Sequence, residues 1–248
     1  MLKFFRKIRQ QLLEENRFTK YLMYAAGEIL LVVIGILIAL QINNWNESKK
    51  TGAEVESLLI ALKTDLEQDT LLIKQQLPFI IEQFDHNESL RARVASETAT
   101  EDTLLKIMRF EFNPNWSVQV VYNTNAVNSL MQSGLIEQIP NPLNSDIKNF
   151  YNRKSTLMAR VDQTTNDYRE KITSHVNTYT FGSTAIHDQG PLIDSLVWDE
   201  VDYSHLAASF QGISNFKRIL FTETRQELNY SLLNSRRLLR IIDIYLNQ

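Results

Sequence analysis

YLMYAAGEILLVVIGILIALQI, residues Tyr21–Ile42, decides how the rest of this chain is read. The stretch has 22 residues and one charged side chain, Glu28. As a helix it reaches about 33 Å, enough to cross the hydrocarbon core of a bilayer. A core helix of a soluble protein is the competing reading, but such a helix turns a polar face to water and this one has none. A cleaved signal peptide is the other alternative. The apolar run Ile29–Leu40 follows a 20-residue basic stretch and is followed by Gln41, Ile42, Asn43, Asn44 and Trp45, with no small-x-small cleavage pattern. The expectation is an uncleaved signal anchor: a transmembrane helix over residues 21–42.

Charge on either side of this span sets an orientation. Residues 1–46 carry six basic groups (Lys3, Arg6, Lys7, Arg9, Arg17, Lys20) against three acids, leaving 20 basic and 26 acidic residues for 47–248. A basic head on an acidic body is a membrane pattern. Only Lys49 and Lys50 follow the span closely, so the N-terminus is expected in the cytoplasm and the body outside it, across the inner membrane. Residues 1–20 form the cytoplasmic segment. Phe5, Ile8 and Leu12 recur there at helical spacing, as in a helix lying on anionic lipid; a disordered basic tail is the alternative. Trp45, with Asn43, Asn44 and Asn46, is placed as the far-side interfacial anchor, and Tyr21 and Tyr24 as the near-side one.

Two features inside the span are singled out. A carboxylate at membrane depth is costly, which makes Glu28 a functional candidate. Lys20, Tyr24 and Glu28 follow at i, i+4 and i+8, so Tyr24 or a snorkelling Lys20 could equally well satisfy it. Gly27, Gly35 and Ala39 share a face that permits close helix packing, although glycines are common in membrane helices anyway.

Beyond the span, the body (43–248) reads as helical. Glycine (7) and proline (5) are scarce, which favours long helices. Cysteine is absent, which excludes disulfides and thiolate chemistry. Val55, Leu58, Leu59, Leu62, Leu66, Ile73, Leu77, Ile80, Ile81 and Phe84 recur at spacings of three and four. They predict a helix over 47–94 that continues the span as a stalk, with Pro78 kinking or breaking it. Thr100 should cap a short helix over 101–109. A further helix is expected over 122–132, stopped at Ser133–Gly134, then long ones over 143–178 and 205–246. Residues 181–204 read as a mixed loop. The fold class is all-α: one N-terminal transmembrane helix, then an antiparallel bundle of long helices with short accessory helices.

Several strings are more specific than this pattern. FFRKIRQ (Phe4–Gln10), KYLMYAAGEI (Lys20–Ile29), VVIGILIALQINNWNE (Val32–Glu47) and, more weakly, LMQSGLIEQI (Leu130–Ile139) with LNSDIKNFY (Leu143–Tyr151) carry a resemblance. The chain closely resembles a family of uncharacterised bacterial membrane proteins, domain of unknown function 6090, found largely in Bacteroidota. Ala26 and Leu30 depart from its pattern, which has larger or β-branched residues there. The resemblance implies a short cytoplasmic start, one membrane helix and a helical domain. It implies no substrate, cofactor or catalytic residue.

Chemistry-bearing patterns are thin. The histidines are His86, His175, His187 and His205, with no HxxxH or HExxH pair, so no metal site is expected. His187–Asp188 could act as an acid/base pair, but a solvated loop histidine is the plainer reading. No GxSxG, P-loop or GxGxxG occurs, and no cofactor is expected. Asp65, Glu67 and Asp69 alternate along a helix and read as a solvated face. Trp116, Tyr122, Phe150 and Tyr151 could line a ligand groove or simply fill core. Trp198 in its polar loop either folds back onto the bundle or contacts a partner. No Lys/Arg block with interleaved aromatics occurs in the body, which sets nucleic acid aside. The leading expectation is therefore a non-enzymatic, membrane-anchored interaction module that meets lipid and either a protein partner or itself. A ligand-sensing domain acting through a separate cytoplasmic partner is the second reading, and a carboxylate-dependent enzyme the third.

Overall fold

The computed structural model describes residues 18–114, 120–179 and 190–247, with backbone alone for residues 18–21 and 24. The expected amphipathic segment before residue 18 lies outside the described residues, as do Trp116 and His187. The chain divides into two units, residues 1–56 and 57–248.

No strand occurs among the described residues. Helix α1 runs Phe18–Val94. In the first unit its side chains from Ile29 to Ile42 are exposed, Ile36 at 55% and Leu31 at 67%. In the second unit the same helix buries a stripe of Leu59, Leu62, Leu66, Ile73, Ile80 and Leu90. Pro78 lies inside α1 and does not end it, so of the two outcomes expected there, a kink or a break, the break does not occur. A mid-helix proline costs about 3 kcal/mol. Ile73 and Ile80 on either side are fully buried against Phe221 and Leu228, and each such side chain contributes roughly 1.5–3 kcal/mol.

After α1, Thr100 opens α2 (Glu101–Lys106) with a capping box: it accepts from Thr103 N–H, and Thr103 Oγ1 accepts from Thr100 N–H. A π-helical turn, Ile107–Glu111, extends it and closes with Phe112 N–H donating to the Ile107 carbonyl at 2.7 Å. Helix α3 (Asn125–Gln132) stops at Gly134, whose φ of 74° is the left-handed conformation that suits glycine. A 3₁₀ turn over Leu135–Gln138 leads to α4 (Leu143–Val176). The loop read over 181–204 is helical in part: α5 (Gly190–Ile193) runs into a second π turn, Asp194–Trp198. Asp202 then caps α6 (Tyr203–Leu246) by accepting from Ser204 N–H and His205 N–H at 2.9 and 3.1 Å.

The long helices of the second unit form an antiparallel bundle. Along α4 and α6 the paired residues run in opposite directions: Asp146 with Arg237, Thr164 with Glu223, His175 with Ser209. The bundle segment of α1 is antiparallel to α6 in the same way, through Lys63 with Asp243 and Asn87 with Ser214. One core cluster gathers Leu90, Ile107, Met108, Phe112, Tyr168, Trp198, Phe210 and Ile213; another gathers Ile73, Ile80, Tyr122, Phe221 and Leu228.

Candidate functional site

Three regions carry the features from which a function can be argued. The first is the apolar part of α1. An 18-residue window has mean hydropathy 2.4 and none of it is buried, so this helix is long and apolar enough to cross a membrane. A methyl group placed on Gly27 or Gly35 would meet nothing within 4 Å, and Ala39 is exposed, so the small-residue face is open. Glu28 is half-buried. The side chains of Lys20 and Tyr24, either of which could satisfy it, lie outside the described residues. Trp45 is 66% exposed, with the Lys49 ammonium 5.7 Å from the centre of its ring.

The second region lies inside the bundle and overturns the solvated-face reading for Asp69 and in part for half-buried Asp65, whereas Glu67 is exposed as expected. Asp69 is completely buried, and its carboxylate is paired with the buried Lys154 of α4 at 3.1 Å. The other Asp69 oxygen accepts from the backbone N–H and side-chain amide of Asn123, at 2.9 and 3.1 Å. One turn earlier on α1, Asp65 accepts from Ala126 N–H at 3.2 Å. Thr124, at the N-cap of α3, makes no side-chain cap bond. The acids of α1 supply that function instead, placing negative charge at the start of α3, where exposed N–H groups and the helix dipole favour it.

The network continues into α6. The Lys154 ammonium sits over the Tyr122 ring, 3.3 Å from its centre. The Tyr122 hydroxyl donates to both oxygens of Glu227, at 2.9 and 3.0 Å, and the Ser231 hydroxyl donates to one of them at 2.7 Å. Burial pushes the Lys154 ammonium below its usual range, against the pull of Asp69. Burial pushes the Glu227 carboxyl up, against its hydrogen bonds from Ser231 and Tyr122. With Asp69 at 0%, Lys154 at 2% and Glu227 at 4% exposure, the cluster is closed to solvent. Its physical effect is to hold α1, α4, α6 and the segment entering α3 in one register. Sliding any helix by a turn would strand a buried charge.

A third cluster settles where Trp198 lies. It is 2% exposed, stacked on Tyr179 at 6.0 Å, with the Arg109 guanidinium 5.6 Å from its ring and Arg109 in turn paired with Asp194. Trp198 is thus folded back onto the bundle and buried among these groups. Beside it the Tyr179 hydroxyl meets His205 Nδ1 at 2.7 Å, and buried His175 meets Ser209 at 2.9 Å. Burial, helped by nearby His205, pushes His175 down to about 4. The aromatic group read around Tyr122 is mostly core: Tyr122 and Phe150 are buried, Tyr151 is half-buried, and Tyr230 joins them by stacking on Phe150 at 6.1 Å.

A family model described as "Family of unknown function (DUF6090)" matches residues 28–183. No curated protein and no solved structure matches the chain.

Proposed function

This chain belongs to the DUF6090 family of unknown function, and we propose that it is a membrane-anchored helical interaction module which binds a protein partner or a second copy of itself. The observation that carries the reading is the contrast along α1. Its first part is apolar and unburied, while its later part is built into a bundle closed around its own charges. On this reading residues 21–42 cross the inner membrane and rest in its lipid, Trp45 sits at the far interface, and residues 43–248 form the domain outside the cytoplasm. The bundle then acts by presenting surfaces rather than by catalysis. Gly27, Gly35 and Ala39 provide a face for helix contact within the bilayer, and Glu28 a polar group at its edge.

The test is crosslinking in intact cells followed by capture of the full-length chain. One protein recovered in near-equal amount, or a dominant self-crosslink, supports the module. Recovery of neither rejects it. Orientation is read separately, from a reporter active only outside the cytoplasm fused after Gln248. The expected outcome is an active reporter, and a silent one rejects the proposed topology.

A further inference from the structure

Helices α4 and α6 enclose a half-open cleft of about 180 Å³ near the start of α4. Phe150 and Leu238 lie buried beneath it, and Tyr230 lies nearly parallel to Phe150, with 20° between the rings. Its rim is polar. Asp146 and Asn149 come from one face of α4, three residues apart, and Asn234 and Arg237 from one face of α6, again three apart. A volume of this size takes one small molecule, well below the roughly 300–1,000 Å³ of sites for larger ligands.

The rim defines the chemistry of an occupant. One terminal nitrogen of Arg237 donates to both Asp146 oxygens, at 3.1 and 3.3 Å. The other guanidinium N–H groups make no hydrogen bond to the described residues, and neither do the Asn149 side chain and the Tyr230 hydroxyl. The Asn234 amide nitrogen is used on the Tyr230 carbonyl at 2.8 Å, which leaves its oxygen as an acceptor. A simple anion attracted to Arg237 would be repelled by Asp146 about one hydrogen-bond length away, and a simple cation would meet the reverse conflict. A neutral sugar gains little from the charged pair, and one face of Tyr230 is already covered by Phe150. A molecule carrying both charges a few bonds apart fits. Its carboxylate lies against the planar guanidinium, which matches that group's geometry. Its ammonium lies against Asp146 and the Asn234 oxygen.

We propose that the cleft between α4 and α6, bounded by Asp146, Asn149, Asn234 and Arg237, binds a small zwitterion of the α-amino-acid class. The proposal stands on this cleft alone and does not depend on the interaction-module reading.

Full-length protein in detergent micelles is titrated by isothermal calorimetry with glycine, L-alanine and L-serine. Acetate, methylammonium, glucose and O-phosphoethanolamine are titrated in parallel. The expected result is binding of at least one amino acid at about 1 mM or tighter, with acetate and methylammonium at least about tenfold weaker. Asp146→Asn and Arg237→Gln should each weaken binding by about tenfold or more. Asn149→Leu, at an exposed rim position, should do so in part while leaving the melting temperature unchanged, which separates lost binding from lost folding. Three results each overturn the proposal: no heat from any of the three amino acids, equal affinity for acetate, or unaltered affinity in all three variants. Tighter binding of phosphoethanolamine or glucose also overturns it, in favour of a lipid headgroup or a sugar.

Discussion

Ile36 and Ile73 lie on the same helix and meet opposite surroundings. Ile36 is 55% exposed among Ile29–Ile42, whereas Ile73 is fully buried four residues after a fully buried aspartate. The first unit turns its apolar side chains outward, and the second closes around Asp69, Lys154 and Glu227. In water the outer arrangement wastes the hydrophobic effect, and in lipid it does not. The inner arrangement is tolerable only because each charge is met by an opposite charge or by donors at hydrogen-bond distance. One helix can hold both patterns because backbone hydrogen bonding is satisfied within it, leaving each face to whatever solvent or partner it meets.

The sharpest way to break the contrast is to remove one member of the inner network. Lys154→Met should destabilise the bundle by roughly 3–5 kcal/mol, since it leaves the Asp69 carboxylate buried without a counter-charge. Urea unfolding followed by circular dichroism measures this. Adding Asp69→Asn should recover much of the loss, and a double variant as weak as the single one would show that charge compensation is not the cause. A paired truncation comes next in size. Ile73→Ala should cost roughly 2–5 kcal/mol, while Ile36→Ala should leave the unfolding of the bundle unchanged. Equal costs would mean that the apolar segment also packs on protein.

The third effect is a pH dependence. His175 has an ordinary value of 6.5 and is held at about 4 in the fold. Between these values the unfolded chain binds more protons, so stability rises with pH across that window, is complete above 6.5 and is lost below 4. The contribution is at most about 3 kcal/mol. Carboxylates titrate in the same range, so the measured quantity is the difference in unfolding free energy between the wild type and His175→Gln, at pH 4.5 and at pH 7. The wild type should gain on the variant as pH rises; a constant difference would mean that His175 titrates in the fold as it does in the unfolded chain.

Much of the architecture is legible in the sequence. The ends at Val94 and Gly134 and the cap at Thr100 follow from local chemistry: a polar stretch, a left-handed glycine, and a threonine three residues before another hydroxyl. The inner network differs from the solvated face expected of these acids, yet it leaves a trace in the sequence. Asp69 falls three residues after Leu66 and four before Ile73, so it occupies the buried stripe itself. Lys154 falls four residues after Phe150 and three before Leu157, and Glu227 falls seven residues after Leu220. Charged residues in register with an apolar stripe point inward by helical geometry. Asp65, Glu67 and Asp69 alternate among themselves, and that spacing alone masks the register of Asp69 with the stripe.

By itself the sequence determined the helical class, the apolar span, most helix ends and the family, because each depends on local periodicity, capping or a contiguous string. Only the tertiary structure decided that Asp69 meets Lys154 across 85 residues, that Tyr122 reaches Glu227 across 105, and that Trp198 turns inward. It likewise decided that Asp146 and Arg237, 91 positions apart, share one cleft. Helical periodicity fixes which way a side chain faces along its own axis. Which partner it finds there depends on how the helices pack and in what register, and that is set by the whole bundle at once.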